Sequence, residues 1–266
     1  MGSPGPYLHI VRAQIRAQAQ YRASFMMDLI ASALLSTLDL ITVFVLFGVR
    51  GSLGGFGGRE VLLMAALSAV AFPIADLVAG NMDRLRHYVR TGLFDSLLIR
   101  PLSAMWQLIA MDFQPRRFGR PIQGLLIYGV ALAVAGIGWT PGRVLLAALA
   151  PLAGAVFFAS LFVAGGTVAF WWIESGEVAA AFTYGGRDFT SYPATMYGEW
   201  FRKLFAFGFG FAFVSYLPAL ALLGRADPLG TPAWLRWCSP AVALPAALAA
   251  FLLWRTGIRH YRSTGS

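Results

Sequence analysis

Hydrophobic residues run along this chain in long blocks, separated by short clusters of arginine, glycine and proline. A bilayer core about 30 Å thick takes roughly 20 apolar residues as helix. Six blocks read as spans of that kind, at residues 26–49, 60–82, 121–137, 143–173, 201–223 and 241–254. The first ends in Arg50-Gly51-Ser52-Leu53-Gly54-Gly55-Phe56-Gly57-Gly58-Arg59, whose glycines break any helix. The fourth is long enough to tilt or to extend past the bilayer. Ahead of the first, Leu8, Val11, Ile15 and Ala19 recur at near-helical spacing against Arg12, Arg16, Gln18 and Gln20. That pattern predicts an amphipathic helix in the interface plane over residues 7–22, either an elbow coupled to the first span or a passive anchor. It does not have the layout of a secretory signal. The predicted fold is an all-α, polytopic membrane protein with six transmembrane helices.

Composition points the same way. Of 266 residues 58% are hydrophobic and 12% charged, where soluble domains carry roughly a quarter charged residues; an ordinary soluble enzyme is excluded. The formal net charge of +9 would suggest nucleic acid in a soluble protein, but its distribution gives another account. With the N-terminus inside, inner loops hold Arg12, Arg16 and Arg22, then Arg84, Arg86, Arg90, Arg100, Arg116, Arg117 and Arg120. They also hold Arg187, Arg202 and Lys203, then Arg255, Arg259 and Arg262, which leaves Arg50, Arg59, Arg143, Arg225 and Arg236 outside. The positive-inside rule then places both termini in the cytoplasm, and nucleic acid is not an expected partner. One cysteine, Cys238, and three histidines supply no disulfide or metal framework.

The cytoplasmic loop over residues 83–114 is the most informative stretch. After a break at Thr91-Gly92, Phe94, Leu97 and Leu98 recur at helical spacing, flanked by Asp95 and Arg100 and stopped by Pro101. Such a helix either docks an apolar knob into a groove on a soluble partner or packs under the protein's own bundle. Acidic residues inside spans cost about 2.5–3.5 kcal/mol on insertion scales, which marks Asp39, with Asp28 on the same face, and Asp76 in the second span. Each is either a transport residue or a buried polar partner. Phe205 and Phe209, in the phenylalanine-rich fifth span, either line a route for an amphiphile or pack against neighbours. Ala71, Ala75 and Ala79 form a small-residue ridge suited to close helix packing. There is no G-x-x-x-x-G-K-[ST], G-x-S-x-G or H-E-x-x-H, and the sole lysine is Lys203. Glu174 and Glu177 share a helical face, but sit where water solvates them. No catalytic, cofactor-binding or metal site is therefore expected in this chain.

This order of parts resembles the permease subunits of type-2 ABC exporters. Gly92-Leu93-Phe94-Asp95-Ser96-Leu97-Leu98-Ile99-Arg100-Pro101 is similar to that family's G-x-x-D-x-L-L-x-R-P segment, and Trp106-Gln107 follows where an aromatic-Gln pair is common. Tyr192-Pro193-Ala194-Thr195-Met196-Tyr197 and the run from Val214 to Gly224 are similar to the Y-P-x-x-x-Y and V-x-Y-x-P-A-x-x-L-L-G patterns of one bacterial subfamily. The resemblance implies a single permease domain over residues 1–266. Within it lie an elbow at 1–25, a coupling helix in 83–114 and an outer re-entrant hairpin at 218–240. It also implies an inner-membrane location, a second permease chain and a separate dimeric ABC ATPase that holds ATP and Mg²⁺. On that reading Gly92, Phe94, Leu97 and Leu98 form the ATPase-docking helix, with Arg90, Asp95 and Arg100 as polar clamps. The expected function is export of an amphiphilic, drug-like or lipid-like substrate by alternating access. A secondary transporter using Asp39 for cation or proton coupling is the competing reading; it predicts inverted repeats, and no convincing repeat is seen.

Overall fold

A computed structural model describes residues 52–111 and 118–262, together with Met26, Met27, Ile30, Ala31 and Leu34, which are helical and exposed. The predicted elbow and most of the first span, Asp28 and Asp39 included, lie outside the described residues. Among the described residues every named element is helical, and the one pairing of extended type is an isolated bridge between Leu53 and Phe56. Three stretches, Gly58–Arg90, Pro141–Phe170 and Ser239–His260, are long and apolar enough to cross a membrane.

Helix α1 (Gly58–Ala79) follows Gly57, whose amide donates to Glu60 Oε2 at 2.8 Å, satisfying a donor that the first turn leaves open. Through a tighter turn at Gly80–Arg84 it runs into α2 (Leu85–Arg90), forming one rod with a Gly58 end and an Arg90 end. At the Arg90 end follow α3 (Leu93–Leu98) and α4 (Ala104–Met111). Helices α5 (Gly119–Val134) and α6 (Pro141–Thr167) then pack on α1. The ridge of Ala71, Ala75 and Ala79 is buried, and a Cβ on Gly154 of α6 would stand 2.8 Å from that of Ala71, so these backbones approach closely.

Proline decides how the three helices fit. Pro73 in α1 and Pro151 in α6 have no N–H, which frees the carbonyls of Ala69 and Ala147 four residues earlier. In hydrocarbon a freed carbonyl needs a protein partner. Helix α5 supplies one to each neighbour: the Tyr128 hydroxyl donates to the Ala147 carbonyl at 2.9 Å. Gly124, where a Cβ would collide with the Ala69 carbonyl, lays its Cα against that oxygen.

Beyond α6 the chain departs from the simple hydropathy reading. Helix α7 (Gly176–Thr190) starts at the Arg90 end, where Arg86 meets Glu177 at 3.2 Å, and reaches the level of Ser68, whose hydroxyl lies 2.7 Å from that of Thr190. Thr195 then donates to the Gly54 carbonyl at 2.7 Å, so the chain has arrived at the Gly58 end. From there α8 (Glu199–Phe201) and a π-type turn at Arg202–Gly208 lead inward to Gly210, in the left-handed region at φ 90°, where only glycine is unstrained. Phe211–Phe213 and α9 (Tyr216–Leu223) return outward at 64° to the first arm, and Arg225 pairs with Glu60 at 2.5 Å. Val214 lies against Gly154, which itself touches Ala71. The element thus dips at least as far as the fourteen residues of α1 between Gly57 and Ala71, about 21 Å. Residues 201–223, predicted as one crossing, therefore leave and rejoin the same end. Open backbone at that depth is tolerated because protein covers it: Phe211, Ala212 and Val214 are buried.

In the predicted hairpin at 218–240, α9 is its outward arm and α10 (Ala233–Trp237) lies at the Gly58 end, with Trp237 against Gly142. Ser239–Val242 leads into α11 (Ala243–His260), which packs on α6 and returns to the Arg90 end, Gly257 lying against Thr167 and Phe170.

Candidate functional site

Two features stand out, one at the Arg90 end and one within the span region. At the Arg90 end, Gly92 (φ 71°) turns the chain from α2 into the six residues of α3. Phe94 and Leu97 are wholly buried. The Phe94 ring lies 5.2 Å from Phe170, 4.9 Å from Tyr261 and 6.5 Å from Trp254, so the helix is seated on the ends of α6 and α11. Tyr261 donates to Asp95 Oδ1 at 2.9 Å. Burial, then the hydrogen bond to Asp95 and its charge, push the Tyr261 hydroxyl up to about 12, so it stays protonated and remains a donor.

Gln107, fully buried in α4, donates to the carbonyls of Leu97 and Leu102, each at 3.0 Å. It closes the C-terminal end of α3 and the Pro101 bend after it. The outer face of α3 is a different set: Leu93, Leu98, Ile99 and Arg100 are exposed, Ile99 to 85%. Arg90 is held by Glu174 at 2.5 Å.

Of the residues predicted to dock a partner, Phe94 and Leu97 thus point into the bundle, Arg90 and Asp95 are bonded within the chain, and Leu98 and Arg100 face outward. Periodicity could not separate the two faces, because a six-residue helix with Leu93, Phe94, Leu97 and Leu98 is apolar on both. Gln107 did carry a signal, as a lone amide in an otherwise apolar helix.

Within the span region, α7 has two unlike faces. Thr183, Gly186, Phe189 and Thr190 are buried, while Glu177, Val178, Ala181, Tyr184, Gly185 and Asp188 are exposed. At about 100° per residue the exposed positions fall on one stripe. It runs from the level of Arg86 to that of Ser68; Glu177 and Asp188 are its charged members, and Val178 and Tyr184 its large hydrophobic ones. Phe182 and Tyr184 bracket the helix: Phe182 lies 5.9 Å from Phe205 and 4.8 Å from Phe209, and Tyr184 5.4 Å from Phe72. Phe205 stacks on Phe201 at 4.3 Å, and Phe209 is about half exposed. Asp76, one turn along α1 from Phe72, is buried and interacts within the chain. Helix α7 therefore stands between Asp76 and the two phenylalanines, and these three pathway candidates do not form one cluster. Asp39 lies outside the described residues.

Arg187, read from the sequence as an inner-loop charge, sits over the Phe72 ring at 5.6 Å, at the depth of the middle of α1. Arg202 and Lys203, assigned to the same loop, lie on the arm entering from the Gly58 end. An arginine at that depth is a functional candidate by position, and hydropathy missed it because α7 is too polar on one side to register as a span.

At the Gly58 end Arg225 gathers three elements. It pairs with Glu60, donates to the Gly55 carbonyl at 2.7 Å and covers the buried Phe56 ring at 4.2 Å, while Arg236 donates to its carbonyl. Tyr216 donates to Asp227 at 2.5 Å.

Apolar helices that bury one another through small residues and freed carbonyls, a re-entrant element and an intramembrane arginine define an all-α polytopic membrane protein. Residues 33–265 match the model of a family described as ABC-2 family transporter protein, and the chain belongs to that family. A comparison with curated proteins gives no match. Membership makes it an integral membrane subunit of an ABC transporter, a permease whose class works with an ABC ATPase.

Proposed function

We propose that the chain is one permease of an ATP-driven exporter, and that the polar stripe of α7 lines the route of an amphiphilic substrate. That stripe carries the reading. A helix crossing a bilayer with Glu177, Tyr184 and Asp188 on its open side is costly against lipid and suits a wetted path shared with a second permease chain. Phe182, Phe205 and Phe209 beside it offer the apolar half that an amphiphile such as a drug or lipid needs. The Arg90 end is cytoplasmic, as the concentration of arginine there favours. The chain crosses six times, with the fifth crossing at α7 and the residues after it, instead of at 201–223. Leu93, Leu98, Ile99 and Arg100 dock on a separate ATPase that holds ATP and Mg²⁺, and closure of that ATPase dimer moves α3. Because α3 is seated on α6 and α11 and continues α1, its displacement reaches three spans.

Cysteine replacement of Ala181 and Gly185 in a Cys238→Ser chain tests this. A membrane-impermeant thiol reagent should label both positions, and a transported amphiphile should slow the labelling. Labelling restricted to lipid-soluble reagents would place the stripe against lipid and end the proposal.

A further inference from the structure

The exposed side of α11 changes character along its length. Leu244, Leu248, Phe251 and Leu252 are among its most exposed residues, at 74%, 59%, 49% and 49%. The next two exposed positions on the same stripe are Arg255 and Arg259, since all six fall within about 100° of arc at helical spacing. Arg262 follows, also exposed. The opposite side, with Ala250, Trp254 and Gly257, is buried, so the arginines face away from the bundle.

Among the described residues none of these three arginines has a partner, whereas Arg86 and Arg90 at the same end are tied to Glu177 and Glu174. Trp171, about half exposed, stacks on His260 at 5.6 Å, and Trp172 beside it is similarly open. Half-exposed tryptophans are characteristic of headgroup depth, which sets the arginines at that level. Arg255 stands one turn from Phe251, and its long stem lets the guanidinium reach the phosphate layer.

We propose that Arg255, Arg259 and Arg262 form a binding site for anionic phospholipid headgroups, whose acyl chains lie along Leu252, Phe251, Leu248 and Leu244. Charge complementarity and continuity with the apolar stripe identify the occupant: an acidic protein surface would match the arginines but leave the stripe that leads into them unexplained. Each guanidinium near an anionic leaflet is worth about 1 kcal/mol, close to a fivefold preference.

The test reconstitutes the full chain in phosphatidylcholine vesicles and follows energy transfer from its tryptophans to trace pyrene-labelled phosphatidylglycerol or phosphatidylcholine. Wild type should enrich phosphatidylglycerol at its boundary, and raised salt should weaken the enrichment. Arg255→Gln and Arg259→Gln should each lower it about fivefold, and the triple variant with Arg262→Gln further. Arg86→Gln, which removes an already paired charge, should leave it nearly unchanged. Unaltered enrichment in the triple variant, or an equal fall in Arg86→Gln, would overturn the site. So would a triple variant that keeps its lipid preference but no longer co-purifies with an ATPase, because the arginines would then serve a protein. The single variants keep the test decisive if the triple variant folds poorly.

Discussion

Phe94 and Ile99 stand on opposite sides of one short helix, and burial divides their roles. Phe94 is enclosed by Phe170, Trp254 and Tyr261, so Phe94→Ala opens a cavity and should cost about 3–5 kcal/mol, read as a fall in the thermal midpoint of the purified chain. Ile99→Asp adds a charge in water and should leave that midpoint within about 0.5 kcal/mol, yet abolish co-purification with the ATPase. Retained co-purification would refute docking through this face. The break before α3 was legible in the sequence, because Gly92 allows a left-handed turn there. Which apolar side chains turn inward was not, since that depends on Phe170 and Tyr261, far away in the chain.

At the scale of elements, α5 joins α1 to α6 by answering the carbonyls that Pro73 and Pro151 release. Tyr128→Phe keeps the ring and removes the donor to Ala147. Tyr128 and Ala147 are both buried, so the orphaned carbonyl should cost about 1–3 kcal/mol, visible as a lower unfolding midpoint in detergent with unchanged helix content. A midpoint equal to wild type would mean that another group serves Ala147. Both prolines are plain in the sequence, but their consequences follow from a neighbour's approach. The re-entrant element is similar. Residues 201–223 are apolar enough to cross, and apolar content alone cannot distinguish a crossing from a dip that returns; the turn at Gly210 and contacts to Phe157 and Val242 decide it. Helix α7 shows the converse. It is too polar on one side to read as a span, because only half of its surface faces apolar neighbours.

Over the whole molecule, two bonds tie distant parts of the chain, one at each end: Glu60 to Arg225 and Asp95 to Tyr261, separated by 165 and 166 residues. The second links the close of the last helix to α3. Its dependence on pH has a definite sign: the Tyr261 pKa is raised on folding from 10.0 to about 12. The protonated form is therefore favoured in the native state, and the stabilisation is complete below pH 10 and lost as pH rises through about 12. Tyr261→Phe should lower the thermal midpoint by the equivalent of about 1–3 kcal/mol near neutrality, with the gap from wild type closing only in strong alkali. A gap that closes below pH 10 would show that the hydroxyl does not serve Asp95.

The sequence by itself determined that this is a helical membrane protein, and its arginine pattern and the Gly92–Pro101 segment pointed to an ABC permease. The first follows from local quantities, how many apolar residues run together and where the chain must bend; the second rests on the resemblance of that segment to a family pattern. Only the tertiary structure decided that 201–223 turns back, that the chain goes from the Arg90 end towards the Gly58 end through α7, and that Phe94 is a seat while Ile99 is a surface. Each of those depends on which groups from distant parts of the chain come within a few ångströms, and no local pattern carries that information.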